Sequence, residues 1–248
     1  MKRTCMIAAI LILLICPVSR SLGAETADNT LFAGLLKKYV AQGKVDYDGF
    51  KKEEILLNDY LVMLSTVDPD LLPKKHQFAY YINVYNASTI KLVLTRYPGI
   101  DSIKDIGGLF SSPWDQKFIR LKKGVFSLDD IEHKILRPVF KDPRVHFAAN
   151  CASKSCPPLR NEPYDGERLD QQLDEQTREF VNDGRNNFFL DGTLFLSRIF
   201  KWYEDDFSGK PVQFVRQYAL GDLKQDIDDS KDRLAISYLD YDWSLNKP

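Results

Sequence analysis

The stretch that most constrains this chain is residues 74–97, which opens after Pro73 and closes at Pro98-Gly99. Proline suits the start of a helix and a Pro-Gly pair forbids its continuation, so these brackets define one long helix. Within it Phe78, Tyr81, Ile82, Tyr85 and Leu92 recur at helical spacing and mark a broad apolar stripe. So wide a stripe has to be covered by neighbouring elements.

The neighbours can be read in order. Residues 30–42 form an expected helix, with Leu31, Leu35, Leu36 and Tyr39 at helical spacing and Gly43 as its stop. A second helix is expected over 51–64. Residues 117–121 and 125–128 flank Lys122-Lys123-Gly124 and read as a hairpin. Ser127, with Asp130 three residues on, reads as the cap of a helix that runs through Leu136 and ends at Pro138. Residues 144–149 are a short strand candidate, and Pro157-Pro158 makes 151–160 a loop. A helix is expected at 167–181. The segment 187–197 turns at Asp191-Gly192 as a hairpin. Short helices follow at 200–205, 212–220 and 223–229, and 234–243 closes the chain as a strand. The expected fold class is α+β, a helix-rich single domain over residues 25–248 with a small antiparallel sheet.

Residues 1–24 have the make-up of a secretory signal peptide. Lys2 and Arg3 precede an apolar run from Met6 to Val18, and Ser21-Leu22-Gly23-Ala24 offers a cleavage site. The run is too short for a comfortable membrane span, and no later stretch approaches one. Loss of Lys2, Arg3 and Arg20 takes the 34 basic side chains to 31 against 35 acidic ones, a formal charge of −4. That balance argues against nucleic acid or an anionic membrane as the main partner. A small molecule or peptide is the partner class left, acting in the periplasm or outside the cell, and the oligomeric state is open. Only Cys151 and Cys156 survive cleavage, so a disulfide-dense scaffold is excluded.

Two of the three histidines, His133 and His146, lie close in sequence to those cysteines. A cysteine just past an element's end can present its sulfur in a cleft, where it needs a base to act as a nucleophile. His133 is the candidate base and His146 its rival. Glu132, Asp129 and Asp242 are candidate acids; Asp129, four residues before His133, reaches it more easily than Glu132, which points about 100° away. Asn83 and Asn86 share a face of the long helix and are candidate ligand-binding amides. Each feature also has a plainer reading: a structural Cys151–Cys156 disulfide, a surface or core histidine, and amides that satisfy backbone. A zinc site of His133, His146, Cys151 and Cys156 fits the cysteine spacing but draws its histidines from separate elements. No phosphate loop or serine elbow is present, no cofactor is implied, and Ser153 and Ser155 lack a supporting motif.

Several segments resemble the domain of unknown function 547 family. The run 78–87, Phe-Ala-Tyr-Tyr-Ile-Asn-Val-Tyr-Asn-Ala, resembles its F-W-I-N-x-Y-N-A helix, with Tyr80-Tyr81 where Phe-Trp is common. Ser127 to His133 resembles its S-L-x-x-I-E-H helix, and His146 to Pro157 its H-F-A-x-x-C-x-x-x-S-C-P segment. Residues 39–47 and the closing Tyr241-Asp242-Trp243-Ser244-Leu245-Asn246 are similar as well. The resemblance implies that Asn83, Asn86, Glu132, His133 and Cys151 share one site. In plant-type members a serine can replace the second cysteine, which implies a single functional thiol rather than an obligatory disulfide. The function this suggests is a cysteine-dependent hydrolase or acyl transferase for an amide-type bond, papain-like by analogy. The alternative is a non-catalytic module that binds a small polar ligand or peptide.

Overall fold

The computed structural model describes residues 26–108, 111–230 and 234–248. The expected signal peptide, 1–24, lies outside the described residues. Among the described residues helix dominates, with three small sheets, and the class is α+β as expected.

The long helix, α4 (Lys74–Leu94), is the axis of the first half. It is buried on every side from Phe78 to Ile90, not only along a stripe. Around it pack α1 (Thr30–Tyr39), α2 (Tyr47–Lys52), α3 (Glu54–Thr66) and the hairpin β3 (Ile119–Leu121) and β4 (Gly124–Phe126). The helix expected over 30–42 stops at Tyr39. Val40–Ala41 and Lys44–Val45 instead pair as a two-residue hairpin, β1 and β2. Gln42 and Gly43 both take positive φ, the backbone twist that a tight hairpin turn needs. A side chain at Gly43 would overlap Pro158, so this turn packs against the cysteine loop. The helix expected over 51–64 is two helices, broken at Glu53.

Ser127 and Asp130 form the expected reciprocal cap: Asp130 N–H donates to Ser127 Oγ, and Ser127 N–H to the Asp130 carboxylate, both at 3.0 Å. The helix they open does not end at Pro138. It is a π-helix, Asp130–Phe140, that runs through the proline and ends at Lys141 with positive φ. A wide turn better tolerates proline's missing N–H and its ring than a tight α-helical turn would.

The second half has its own core, in which Phe147, Phe180, Leu194, Leu196, Phe200 and Phe207 meet. They come mainly from α6 (Leu169–Val181), the hairpin β5 (Phe188–Leu190) and β6 (Thr193–Leu196), and α7 (Ile199–Trp202). A 3-10 turn (Glu204–Phe207), α8 (Pro211–Tyr218) and α9 (Gly221–Ser230) complete it. Asp191 and Gly192 turn the hairpin with positive φ, as the Asp-Gly pair predicts. The final strand, β7, is only Ala235–Tyr238, and it joins β6 in parallel. The strand expected to reach residue 243 leaves the sheet because its last residues are used at the cysteine loop. Among the described residues no helix is long and apolar enough to cross a membrane.

Candidate functional site

The cysteine loop hangs from a single helical turn, α5–here Val145–Ala148–where a strand was expected. The turn forms because its apolar side chains must point in different directions. Phe147 enters the second core, while Val145 and Ala148 face the first. A strand could not divide its residues so; alternation would have put Val145 and Phe147 on one face. Arg144 starts the turn, its guanidinium gripped by Asp142, Asp170 and Asp174.

Beyond the turn, buried amides fix the backbone. Asn86 donates Nδ2–H to Ala148 O at 3.0 Å and accepts Asn150 N–H at 2.8 Å. Asn150 in turn donates to Pro157 O at 2.7 Å and accepts Ala152 N–H at 2.9 Å. The C-terminal segment supplies the rest: Asn246 N–H donates to Ala152 O, and Lys154 N–H to Ser244 O. Tyr47 OH anchors Asn246 through its Oδ1 at 2.6 Å. Ala152, directly after the cysteine, is held at φ 65°, a conformation that costs energy outside glycine and persists only where its surroundings impose it.

This frame sets Cys151 Sγ 3.1 Å from Ser153 Oγ and 3.2 Å from Tyr241 OH. Cys156 lies behind it, buried, with its sulfur accepting the Cys151 N–H at 2.9 Å. Both thiols are free. Hydrogen bonding from Cys156, then from Ser153 and Tyr241, outweighs burial and brings the Cys151 thiol down to about 7. Cys156 is pushed well up by burial and by the neighbouring sulfur, and burial likewise raises the Tyr241 phenol. The pair is therefore asymmetric: one thiol is suited to ionise and the other to keep its proton.

Cys151 opens onto a cleft of about 260 Å³ whose walls include Glu132, His133, His146 and the tryptophans Trp114, Trp202 and Trp243. These are all the tryptophans in the chain. Trp243 packs against the other two and against Tyr241, making one side of the cleft aromatic.

The expected site residues divide. Cys151, Glu132 and His133 line the cleft together. Glu132 accepts hydrogen bonds from Tyr203 OH at 2.6 Å and Tyr85 OH at 3.1 Å. His133 reaches Asp129, the expected partner four residues back, at 3.3 Å through Nε2, while Arg137 donates to its Nδ1 at 2.7 Å. Asn83 and Asn86 do not line the cleft. Both are buried and spent on backbone, Asn83 on both main-chain groups of Tyr164 and Asn86 on the cysteine loop. Asp242 is not beside His133; it pairs with Ser155 and Ser244. The four residues of the zinc alternative do not converge: among the described residues no group of three or more His, Cys, Asp or Glu could hold a metal ion.

His146 is the larger surprise. In place of an edge position on a strand, it is buried on α5, stacked 3.8 Å from the Tyr203 ring. Its Nε2 is 2.7 Å from Asp206 Oδ2, so Nε2–H donates to the carboxylate and the lone pair falls on Nδ1. His146, followed by Arg137, holds the Asp206 carboxyl well below its usual range. Sequence reasoning missed Asp206, Tyr203, Ser153 and Tyr241. The closing Tyr-Asp-Trp segment was a signal for Tyr241, whereas nothing distinguished Asp206 from Glu204 and Asp205 just before it.

The cleft thus has the Cys151 thiol among its lining together with two histidines, each paired with a carboxylate. In a comparison with known families, residues 69–181 match the family described as "Protein of unknown function, DUF547". The matched span includes α4, the π-helix and the whole cysteine loop. No curated protein and no solved structure matches the chain.

Proposed function

We propose that the protein is a cysteine-dependent hydrolase or acyl transferase acting on an amide-type bond, with Cys151 as nucleophile. The observation that carries this reading is the environment of the Cys151 sulfur. It faces a cleft, lies within hydrogen-bond reach of two hydroxyls and is brought to about 7, where a thiol is partly ionised at neutral pH.

His146 is the better base of the two histidines. Its Nε2 is fixed by Asp206, and Nδ1 has no hydrogen-bond partner among the described residues, whereas both nitrogens of His133 are engaged. In this reading His146 takes the thiol proton as Cys151 Sγ attacks the acyl carbon, and returns it to the departing amine. Water or an acceptor amine then attacks the thioester and frees the thiol. The direct His146–Cys151 contact would form on substrate binding, as catalytic hydrogen bonds often do. His133 and Glu132 would orient the substrate, and the likeness to papain-type enzymes lies in this pairing of thiol and oriented imidazole. Asn83 and Asn86 serve as positioning residues. In the same proposal residues 1–24 direct the chain to the periplasm or the exterior; fractionation of cells carrying the full chain and one lacking 2–24 tests this, and identical distribution would refute it.

The test of function is trapping. Incubation with activated acyl esters and recovery of the Cys151 peptide should yield a thioester adduct, absent in Cys151→Ala. Absence of any adduct in a folded protein whose Cys151 is also inert to iodoacetamide would overturn the reading. The three-tryptophan wall favours a second reading, a binding module without chemistry. Under it, Cys151→Ala would keep full ligand affinity, measured by quenching of the cleft's tryptophans, and no adduct would form.

A further inference from the structure

In the proposed hydrolysis Cys156 acts only through its contact with Cys151. It is 6% exposed, and its sulfur is in hydrogen-bond contact with Cys151 N and Ala149 O. A sulfur 2.9 Å from the Cys151 main-chain nitrogen is within one side-chain length of Cys151 Sγ. The backbone between the two cysteines is tied down at nearly every residue. Asn150 holds Ala152, Ser244 O accepts from Lys154, Asp242 O accepts from Ser155, and Ser153 O accepts from Cys156 N–H. The sulfurs are thus kept close to each other but unbonded. Both belong to the lining of the cleft, Cys151 partly exposed and Cys156 buried.

We propose that Cys151 and Cys156 form an oxidative modification site, at which a hydroperoxide oxidises Cys151 and Cys156 closes on it as a reversible disulfide. Cys151 thiolate attacks one peroxide oxygen; the S–O bond forms, the O–O bond breaks, and the remaining oxygen leaves as alcohol or water after taking a proton from solvent. Cys151 is now a sulfenic acid, oxidised by two electrons, and the peroxide is reduced by two. The Cys156 sulfur then bonds to Cys151 Sγ, and the hydroxyl leaves with the Cys156 proton as water. Two features suit the buried thiol to this role. It keeps its proton until the sulfenic acid exists, and it is poised to capture that acid before a second peroxide can drive it to the irreversible sulfinic state. The closed form has no nucleophile in the cleft, so oxidation protects the site while switching it off.

This inference shares with the proposed function the nucleophilicity of Cys151, but needs neither the histidine base nor a substrate. The test uses the full chain, reduced and then freed of reductant, treated with hydrogen peroxide in the presence of dimedone. Wild-type protein should lose two hydrogen masses, and trypsin should release peptides from either side of Lys154 joined through sulfur. Iodoacetamide labelling of Cys151 should fall at least tenfold and return with dithiothreitol. Cys156→Ser should form no joined peptides and should accumulate the dimedone adduct at Cys151. Equal dimedone labelling in wild type and Cys156→Ser overturns the inference, as does a reduced Cys151 that alkylates normally yet never joins Cys156. Failure of alkylation itself would remove the proposed function along with it.

Discussion

The two walls of the cleft are held by opposite means. The thiol wall is neutral: Asn86, Asn150, Asn246, Ser153 and Tyr241 fix it through amides and hydroxyls, nearly all of them buried. The facing wall is a row of charged and titratable groups. Asp129 meets His133, His133 meets Arg137, Arg137 meets Asp206, and Asp206 meets His146. Buried neutral hydrogen bonds hold geometry, because a group left unpaired pays its full desolvation cost. Charged partners of moderate exposure hold position less firmly, but they govern where protons sit. The Cys151 thiol is thus placed by the rigid wall, and in the proposed reaction the proton transfers fall to the adjustable one.

Several substitutions would break or sharpen this contrast. Cys151→Ala should have the largest effect, complete loss of acyl-adduct formation and thiol labelling with the melting temperature nearly unchanged. A large fall in melting temperature would mean that the thiol is structural. Asn86→Ala strands two buried main-chain groups, Ala148 O and Asn150 N, and should cost about 2–4 kcal/mol in urea unfolding. If the cost is below that of Arg137→Ala, the neutral wall is not the rigid one.

Tyr241→Phe removes one hydroxyl from the Cys151 sulfur, so the midpoint of iodoacetamide labelling against pH should rise from about 7. Labelling at neutral pH should then slow several-fold; an unmoved midpoint would leave Ser153 and Cys156 to account for the ionisation.

Asp206→Asn addresses the charged wall. The native Asp206 binds its proton less tightly than the unfolded chain does, so the unfolded state takes up more protons as pH falls. Its contribution is complete above the ordinary carboxylate range, near pH 4, and is lost as pH drops toward the lowered native value. The variant should therefore lose about 1–2 kcal/mol at neutral pH and show a flatter acid limb than wild type. Parallel acid limbs would show that the carboxylate is not stabilised by His146 and Arg137. Asp129→Asn should have the smallest effect, within about 0.5 kcal/mol, because its pair with His133 is half exposed.

Reading the site from sequence worked where a motif is local. The Ser127–Asp130 cap, the Asp191-Gly192 turn, the Asp129–His133 spacing and the loop after Ala149 all follow from residues a few positions apart. It failed where a local preference met a tertiary demand. The segment 144–149 has strand-like composition, yet it coils because two cores compete for its apolar side chains. Pro138 is a helix breaker in isolation, and the π-helix carries it. Asn83 and Asn86 have the look of ligand amides, but on a helix buried on all sides both are spent on neighbouring backbone.

The long helix bracketed by Pro73 and Pro98-Gly99 was determined by the sequence alone, as were the α+β class, the family motifs and the thiol at the centre of the site. Those depend on periodicity, turn chemistry and residue type, which act over a few positions. Which histidine is paired with a carboxylate, which hydroxyls reach the sulfur and where the second thiol rests were decided only by the tertiary structure. Asp206 lies 60 residues from His146 and Tyr241 lies 90 from Cys151, and only the packing of the second core and the return of the C-terminal segment close those distances.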